Sequence, residues 1–266
     1  MLSPIELHYA KHKEDLRLQR RHGIVEYTVT MAVLHRFIGS RTCCRILDVG
    51  CGTGRYAIAL REEGHDVECV ELVQHNIDVM LSREPSMRVC QGDARHMPWI
   101  ADASQDIVLL LGPLYHLIGD EAKTAALSEA RRVLRPDGVM LVAYLMNEYS
   151  ILQYCFDQDR IGGLMERGFV DGTFHVRTPE GELYDYVRLE DIDRLNAAAG
   201  LRRLTIFSPE GPADYMRTRI NYMADDTFRR FIDYQLAVCE RPDLLGAGSH
   251  VVDVVQAAPR TAPGGK

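Results

Sequence analysis

The apolar positions of this chain alternate between two rhythms, and each change of rhythm marks the edge of an element. Short apolar or alternating runs at 46–49, 66–70 and 87–90 predict strands, as do 106–111 and 139–145. Between them, spacings of three and four predict a helix starting at Tyr56 and another over 121–134. A later helix is expected over 189–199, with Gly200 as the residue that tolerates a left-handed C-cap. Runs at 204–208 and 250–256 complete seven strands. Strands that alternate with helices in this way predict an α/β fold with a largely parallel sheet.

Two stretches interrupt that pattern. Residues 148–168 read as helical, with Ile151, Leu152, Tyr154, Cys155 and Phe156 on an aromatic-rich face. The segments 174–176 and 182–187 flank Thr-Pro-Glu-Gly and read as a hairpin. A second excursion, mostly helical, runs over 209–248. The expected organisation is a single domain over 1–258. Its parts are an N-terminal helical lid (1–40), a core (41–147), an inserted lid (148–188), core again (189–208), a second inserted lid (209–249) and the last strand (250–258). The tail 259–266 is too poor in apolar residues to order itself.

The first strand leads into Asp48-Val-Gly-Cys-Gly-Thr-Gly54, with Gly50, Gly52 and Gly54 at alternate positions. Glycine permits positive φ and lets a ligand approach the backbone without meeting a Cβ. The following helix start offers free N–H groups and the positive end of its dipole. Together these predict a nucleotide-type site. A dinucleotide fold needs G-x-G-x-x-G, but the fifth residue after Gly50 is Arg55. The Gly-Lys-Ser/Thr of a phosphate-binding P-loop is absent.

The D-V-G-C-G-T-G stretch resembles motif I of class I S-adenosylmethionine (SAM)-dependent methyltransferases. Further elements follow in that family's order: Glu71 at the end of the second strand, Gln91-Gly92-Asp93-Ala94 after the third, the loop from Leu111 to Leu117, and Leu134-Arg-Pro-Asp-Gly-Val-Met-Leu-Val142. The resemblance covers roughly 45–145 and the last strands. It implies a Rossmann-like seven-stranded sheet with the last strand antiparallel, flanked by helices and carrying N-terminal and inserted lid elements. It also implies SAM as cofactor and S-adenosylhomocysteine as product. The cofactor-binding positions carried over are Asp48, Gly50, Cys51, Gly52, Gly54, Glu71, Leu72, Asp93, Ala94 and Leu111. Glu71 would accept both ribose hydroxyls, since an ionised carboxylate is an acceptor with two oxygens. Asp93 would take the adenine amino group, and the Ala94 amide a ring nitrogen.

Composition narrows the setting. An apolar share of 46% supports a sizeable core, and no apolar run is long enough to span a bilayer. The opening Met-Leu-Ser-Pro-Ile-Glu lacks a signal-peptide layout. The seven cysteines form no C-x-x-C pair and no metal spacing, so no metal and a reducing cytoplasm are expected. A net charge of −7 argues against a broad nucleic-acid surface. The exception is the basic stretch 8–22, with Lys11, Lys13, Arg17, Arg20 and Arg21. A monomer or homodimer acting on a small molecule is the expectation.

The loop Gly112-Pro113-Leu114-Tyr115 lacks the leading amide or acid of base N-methyltransferases and resembles that of methyltransferases acting on small metabolites. His116, with an ordinary pKa near 6.5, is the candidate base for an oxygen or nitrogen acceptor, and carbon remains open as the acceptor atom. Tyr115 is a candidate hydrogen-bonding partner, and Tyr9 and Tyr27 are weaker ones. Two alternatives stay open: an RNA methyltransferase gripping its substrate with the basic stretch, and a non-catalytic SAM-binding protein. A nicotinamide oxidoreductase fits the glycine spacing poorly.

Overall fold

The computed structural model describes Ile5, His8, Tyr9 and residues 20–259. Seven strands form one sheet: β1 (Arg45–Val49), β2 (Asp66–Glu71), β3 (Arg88–Gln91), β4 (Gln105–Leu110), β5 (Leu134–Leu145), β6 (Leu201–Phe207) and β7 (His250–Ala257). Their order is β3-β2-β1-β4-β5-β7-β6. Neighbours from β3 through β5 pair in parallel, and β7 runs antiparallel to both β5 and β6. The expected seven-stranded sheet with an antiparallel last strand is therefore found.

From Arg20 onward the α-helices among the described residues are α1 (Arg21–Ile38), α2 (Arg55–Glu62), α3 (Gln74–Arg83), α4 (Asp120–Val133), α5 (Asn147–Ser150), α6 (Ile161–Glu166), α7 (Leu189–Ala199), α8 (Arg217–Asn221) and α9 (Asp225–Val238). Side chains alternate across a strand, so each strand feeds two cores. Ile46, Cys69, Ile107 and Leu141 meet Val25, Val29 and Leu34 of α1, Leu60 of α2 and Phe228 of α9. Leu47, Val70, Val108 and Met140 meet Ala126, Leu127 and Ala130 of α4 and Leu195 of α7. A sheet buried on both faces explains why β4 reads as an unbroken apolar run.

Several sequence expectations need correction. Within the expected lid 1–40, α1 is a core helix, with Val25, Val29 and Leu34 fully buried. The helix expected over 148–168 breaks into α5, a π-helical turn (Ile151–Phe156) and α6. Leu152, Tyr154 and Phe156 face outward, while Ile151 and Cys155 form a small core with Val170. The hairpin does not form. Instead Val170 bridges Val176 and Val187 pairs in parallel with Met146. The fully buried Asn147 takes over: its Nδ2 donates to Phe174 O at 3.0 Å and its Oδ1 accepts from Val176 N at 2.8 Å. A buried amide that satisfies two backbone groups removes the need for strand pairing. The tail 260–266 lies outside the described residues.

The strand order reverses between β1 and β4, so the loops leaving these two strands part to opposite sides and open a crevice at their carboxyl ends. Gly50 sits there with φ +70°, and a Cβ on it would lie 2.5 Å from Pro113 Cγ. Gly50→Ala is expected to cost about 2 kcal/mol or more from backbone strain and overlap. Thermal melting should show the midpoint lowered by at least about 4 °C.

Candidate active site

The crevice holds a cavity of about 410 Å³, within the range of small-molecule sites. Its floor is the glycine loop. Gly50 and Cys51 donate their amides to Val70 O at 2.7 and 3.3 Å, which ties the loop to β2. Gly52 has φ +55° and open space where a Cβ would stand, so its Cα presents bare backbone. Gly54 plays a different part from the one expected. It caps α2 in the left-handed conformation and packs against Met80, and it does not line the cavity.

Glu71 closes the loop from the other side. Its Oε2 accepts from Gly52 N at 2.8 Å, and its Oε1 accepts from Val73 N at 2.9 Å and Asn76 Nδ2 at 3.3 Å. Burial nonetheless raises its pKa, with the Val73 and Gly52 amides pulling the other way. Oε2 keeps acceptor capacity for a further donor, whereas Oε1 already accepts two. Leu72, next in the chain, exposes its side chain on the cavity wall.

Asp48 is 2% exposed, and its Oδ2 has no hydrogen-bond partner among the described residues. Burial, with help from the nearby Glu71 charge, raises its pKa from 3.8 to about 7. An orphaned buried acceptor on a cavity wall calls for a donor from the ligand. Asp93 and Ala94 line the far wall. The Asp93 carboxylate is held by Arg95, whose Nη2 donates at 2.6 Å, and this hydrogen bond lowers the Asp93 pKa. The adenine amino group expected at Asp93 would therefore share that carboxylate with a guanidinium.

Leu111, Tyr115 and His116 bring the β4 loop to the opposite side. His116 departs from expectation. Burial lowers its pKa from 6.5 to about 4, only partly offset by a hydrogen bond to Leu183 O at 2.9 Å from Nδ1. That bond places the proton on Nδ1, so Nε2 accepts from the Tyr9 hydroxyl at 2.9 Å. His116 is thus a neutral, oriented imidazole rather than a base poised near neutrality. Tyr115 keeps its hydroxyl near Leu111 O at 3.5 Å. Tyr9 reaches the cavity, whereas Tyr27 packs outside it, 5.2 Å from the Tyr56 ring and under the Arg55 guanidinium.

The insertion is latched to this wall. Lys123, 1% exposed, pairs with Asp185 and donates to Leu117 O at 2.6 Å, and Asp185 also accepts from Gly119 N at 3.0 Å. Glu180 and Gly181 reach the cavity from that segment. Glu26, Arg55, Asn76 and Glu180 are wall residues that the sequence reading did not single out. Arg55 carried a signal, because it stands where a third dinucleotide-type glycine would be. Of the basic stretch, Lys11, Lys13 and Arg17 lie outside the described residues, and Arg21 is engaged with Asp225 and Met223 O.

Residues 46–138 match the family model described as a methyltransferase domain. Among curated relatives, the demethylmenaquinone methyltransferase of Beutenbergia cavernae is 33% identical over 61% of this chain and 65% of its own. A tRNA N(3)-cytidine methyltransferase of Homo sapiens is 27% identical over 63% of this chain and 44% of its own. The chain spans from 37% to 65% of the length of such relatives. Among solved structures, a Thermotoga maritima SAM-dependent methyltransferase, described as a possible histamine N-methyltransferase, superposes with TM-score 0.58. It is 18% identical and covers 95% of this chain and 98% of its own, a likeness of fold. No helix among the described residues is long and apolar enough to cross a membrane.

Two measurements check the site. An acid with a folded pKa near 7 and an unfolded value near 4 holds its proton more tightly when folded, so its contribution to stability falls as pH rises from about 4 to about 7. Asp48→Asn is therefore expected to melt above the parent protein at pH 8 and level with it at pH 4. For His116, an NMR titration should place the imidazole pKa near 4, and His116 signals that move with a midpoint near 6.5 would refute its burial.

Proposed function

We propose that this chain, which carries a class I SAM-dependent methyltransferase domain, transfers a methyl group from SAM to a small-molecule acceptor. The observation that carries the reading is the Glu71–Gly52 clamp beside the orphaned Asp48 oxygen, at the switch point of the sheet. Bound there, SAM supplies a methyl group already activated on a sulfonium. The chain's own residues then need only bind and align, because the leaving group is built into the donor. Glu71 offers the remaining acceptor site of its Oε2 to a ribose hydroxyl, and Leu72 offers an apolar face to a base. Asp93 and the Ala94 amide offer an acceptor and a donor to its edge. Asp48 offers its free oxygen to an ammonium group. His116 holds its Nε2 lone pair toward Tyr9 and the cavity's β4 side, where it orients a hydroxyl rather than taking a proton at neutral pH.

A small acceptor is supported by the size of the cavity, about 410 Å³, to whose wall Tyr9 and the 180–181 segment contribute. The wall is rich in carboxylates, and that opposes the phosphate backbone of an RNA substrate. A silent SAM-binding protein differs in one respect: it would bind the cofactor and never form product from any acceptor.

Isothermal titration with S-adenosylhomocysteine, with NAD as control, tests the cofactor. Micromolar binding of the adenosyl ligand and none of NAD is expected. A hydrogen bond from the ligand to a charged group and the Gly52 clamp are both at stake in Glu71→Ala, so its affinity should fall by roughly a hundredfold. A folded parent protein that binds no adenosyl ligand would sink the proposal.

A further inference from the structure

Rings from four separate stretches of chain meet beside the β4 loop. Tyr115 and His116 lie 4.8 Å apart by ring centroids, and Tyr9 lies 5.7 Å from His116. Behind them His8, Tyr184 and His250 act as buttresses. Tyr184 lies 5.2 Å from His116 and 5.8 Å from His8, and His250 lies 6.2 Å from Tyr115. Of these rings, Tyr9, Tyr115 and His116 form part of the cavity wall.

A carboxylate stands beside them. Glu26 of α1 lines the same cavity, and one of its carboxylate oxygens lies within 4.8 Å of a Glu210 carboxylate oxygen and a His250 ring nitrogen. Glu26 and Tyr115 therefore flank one imidazole. His250 carries a charge that Glu210 neutralises at 2.7 Å, and the second Glu210 oxygen is buried with no partner among the described residues. His116 is neutral and adds no positive charge of its own.

The charge of the described wall points the same way. Among the described residues the carboxylates of Glu26, Glu71, Asp93 and Glu180 line it with the guanidiniums of Arg55 and Arg95, Arg95 is already bound to Asp93, and Asp48 is held partly protonated near neutrality by burial. A cavity lined in this way draws cations and repels anions. Aromatic faces next to a carboxylate are the chemistry that recognises an ammonium group, through ring quadrupole and ion pairing together.

We infer that the methyl acceptor is an amine, which docks as an ammonium ion against Tyr9 and Tyr115 beside the Glu26 carboxylate. The inference rests on the methyltransferase reading and narrows its substrate class. Methylation then requires one N–H proton to leave to solvent. The freed lone pair forms the C–N bond, while the electron pair of the breaking S–C bond stays on sulfur. An anionic acceptor, such as a carboxylate or phosphate ester, is disfavoured by the same wall.

The test is a binding measurement on the full chain saturated with S-adenosylhomocysteine. Isothermal titration compares choline, a cation that cannot be methylated at nitrogen, with 3,3-dimethylbutanol, its neutral isostere. Choline is expected to bind at least tenfold more tightly. Glu26→Gln and Tyr115→Leu should each abolish that preference when measured on the variant saturated with S-adenosylhomocysteine. No choline binding, or equal binding of the two probes, would overturn the inference. So would a Glu26→Gln variant that loses the adenosyl ligand but keeps choline, since Glu26 would then serve the donor. Stoichiometric Zn²⁺ binding abolished by Glu26→Gln would assign the Glu26–Glu210–His250 cluster to a metal and overturn it as well. If the parent protein fails to bind S-adenosylhomocysteine at all, the methyltransferase reading itself fails and the inference goes with it.

Discussion

The geometry of the site hangs on one buried carboxylate. Glu71 ends β2, yet its oxygens reach the amide of Gly52 after β1 and the groups of Val73 and Asn76 that begin α3. Three elements distant in sequence are fixed by one side chain. The cost is desolvation, visible in the raised pKa of Glu71, and the hydrogen bonds to the charged form offset it. Because the amide of Gly52 is held, the loop keeps positive φ at consecutive alternate residues without collapsing into the crevice. Close approach of Pro113 to Gly50 then sets the spacing between the β1 and β4 loops.

Around that fixed point the structure arranges charge more than it arranges bases. Asp48 is neutralised in part by burial, His116 is held neutral, and His250 is paired with Glu210. A site built to bind and align a pre-activated group has little need for a strong base near neutrality. The insertion and the described N-terminal residues contribute by covering this arrangement. Asp185 and Lys123 anchor one, and the Tyr9–His116 and Tyr184–His8 hydrogen bonds join the other to it.

The core was legible in sequence because both faces of the sheet obey simple periods. The α7 helix with its Gly200 cap and the glycine loop stand where the residue pattern put them, and so do the strand runs, except that β5 begins five residues and β6 three residues earlier than expected. Glu71, Asp93 and Ala94 were picked out by the resemblance of the motifs that follow β2 and β3, and they line the crevice because strand ends in an open α/β sheet converge on one edge. The hairpin failed for a reason invisible to local pattern. Asn147, nearly thirty residues away, satisfies the backbone groups that a partner strand would have taken. Glu26 escaped notice because an acid on an amphipathic helix reads as solvated until its neighbours in space are known.

The sequence by itself determined the strand and helix order and the left-handed glycine positions, because these follow from local propensity and period, and it set acids at the strand ends that line the crevice. Only the tertiary structure decided which of the chemically capable residues meet. It brought Glu26 and Tyr115 each to His250, moved Gly54 off the wall into a helix cap, and buried His116 far enough to move its pKa to about 4. Burial and proximity are properties of crossing elements, and no single stretch of chain carries them.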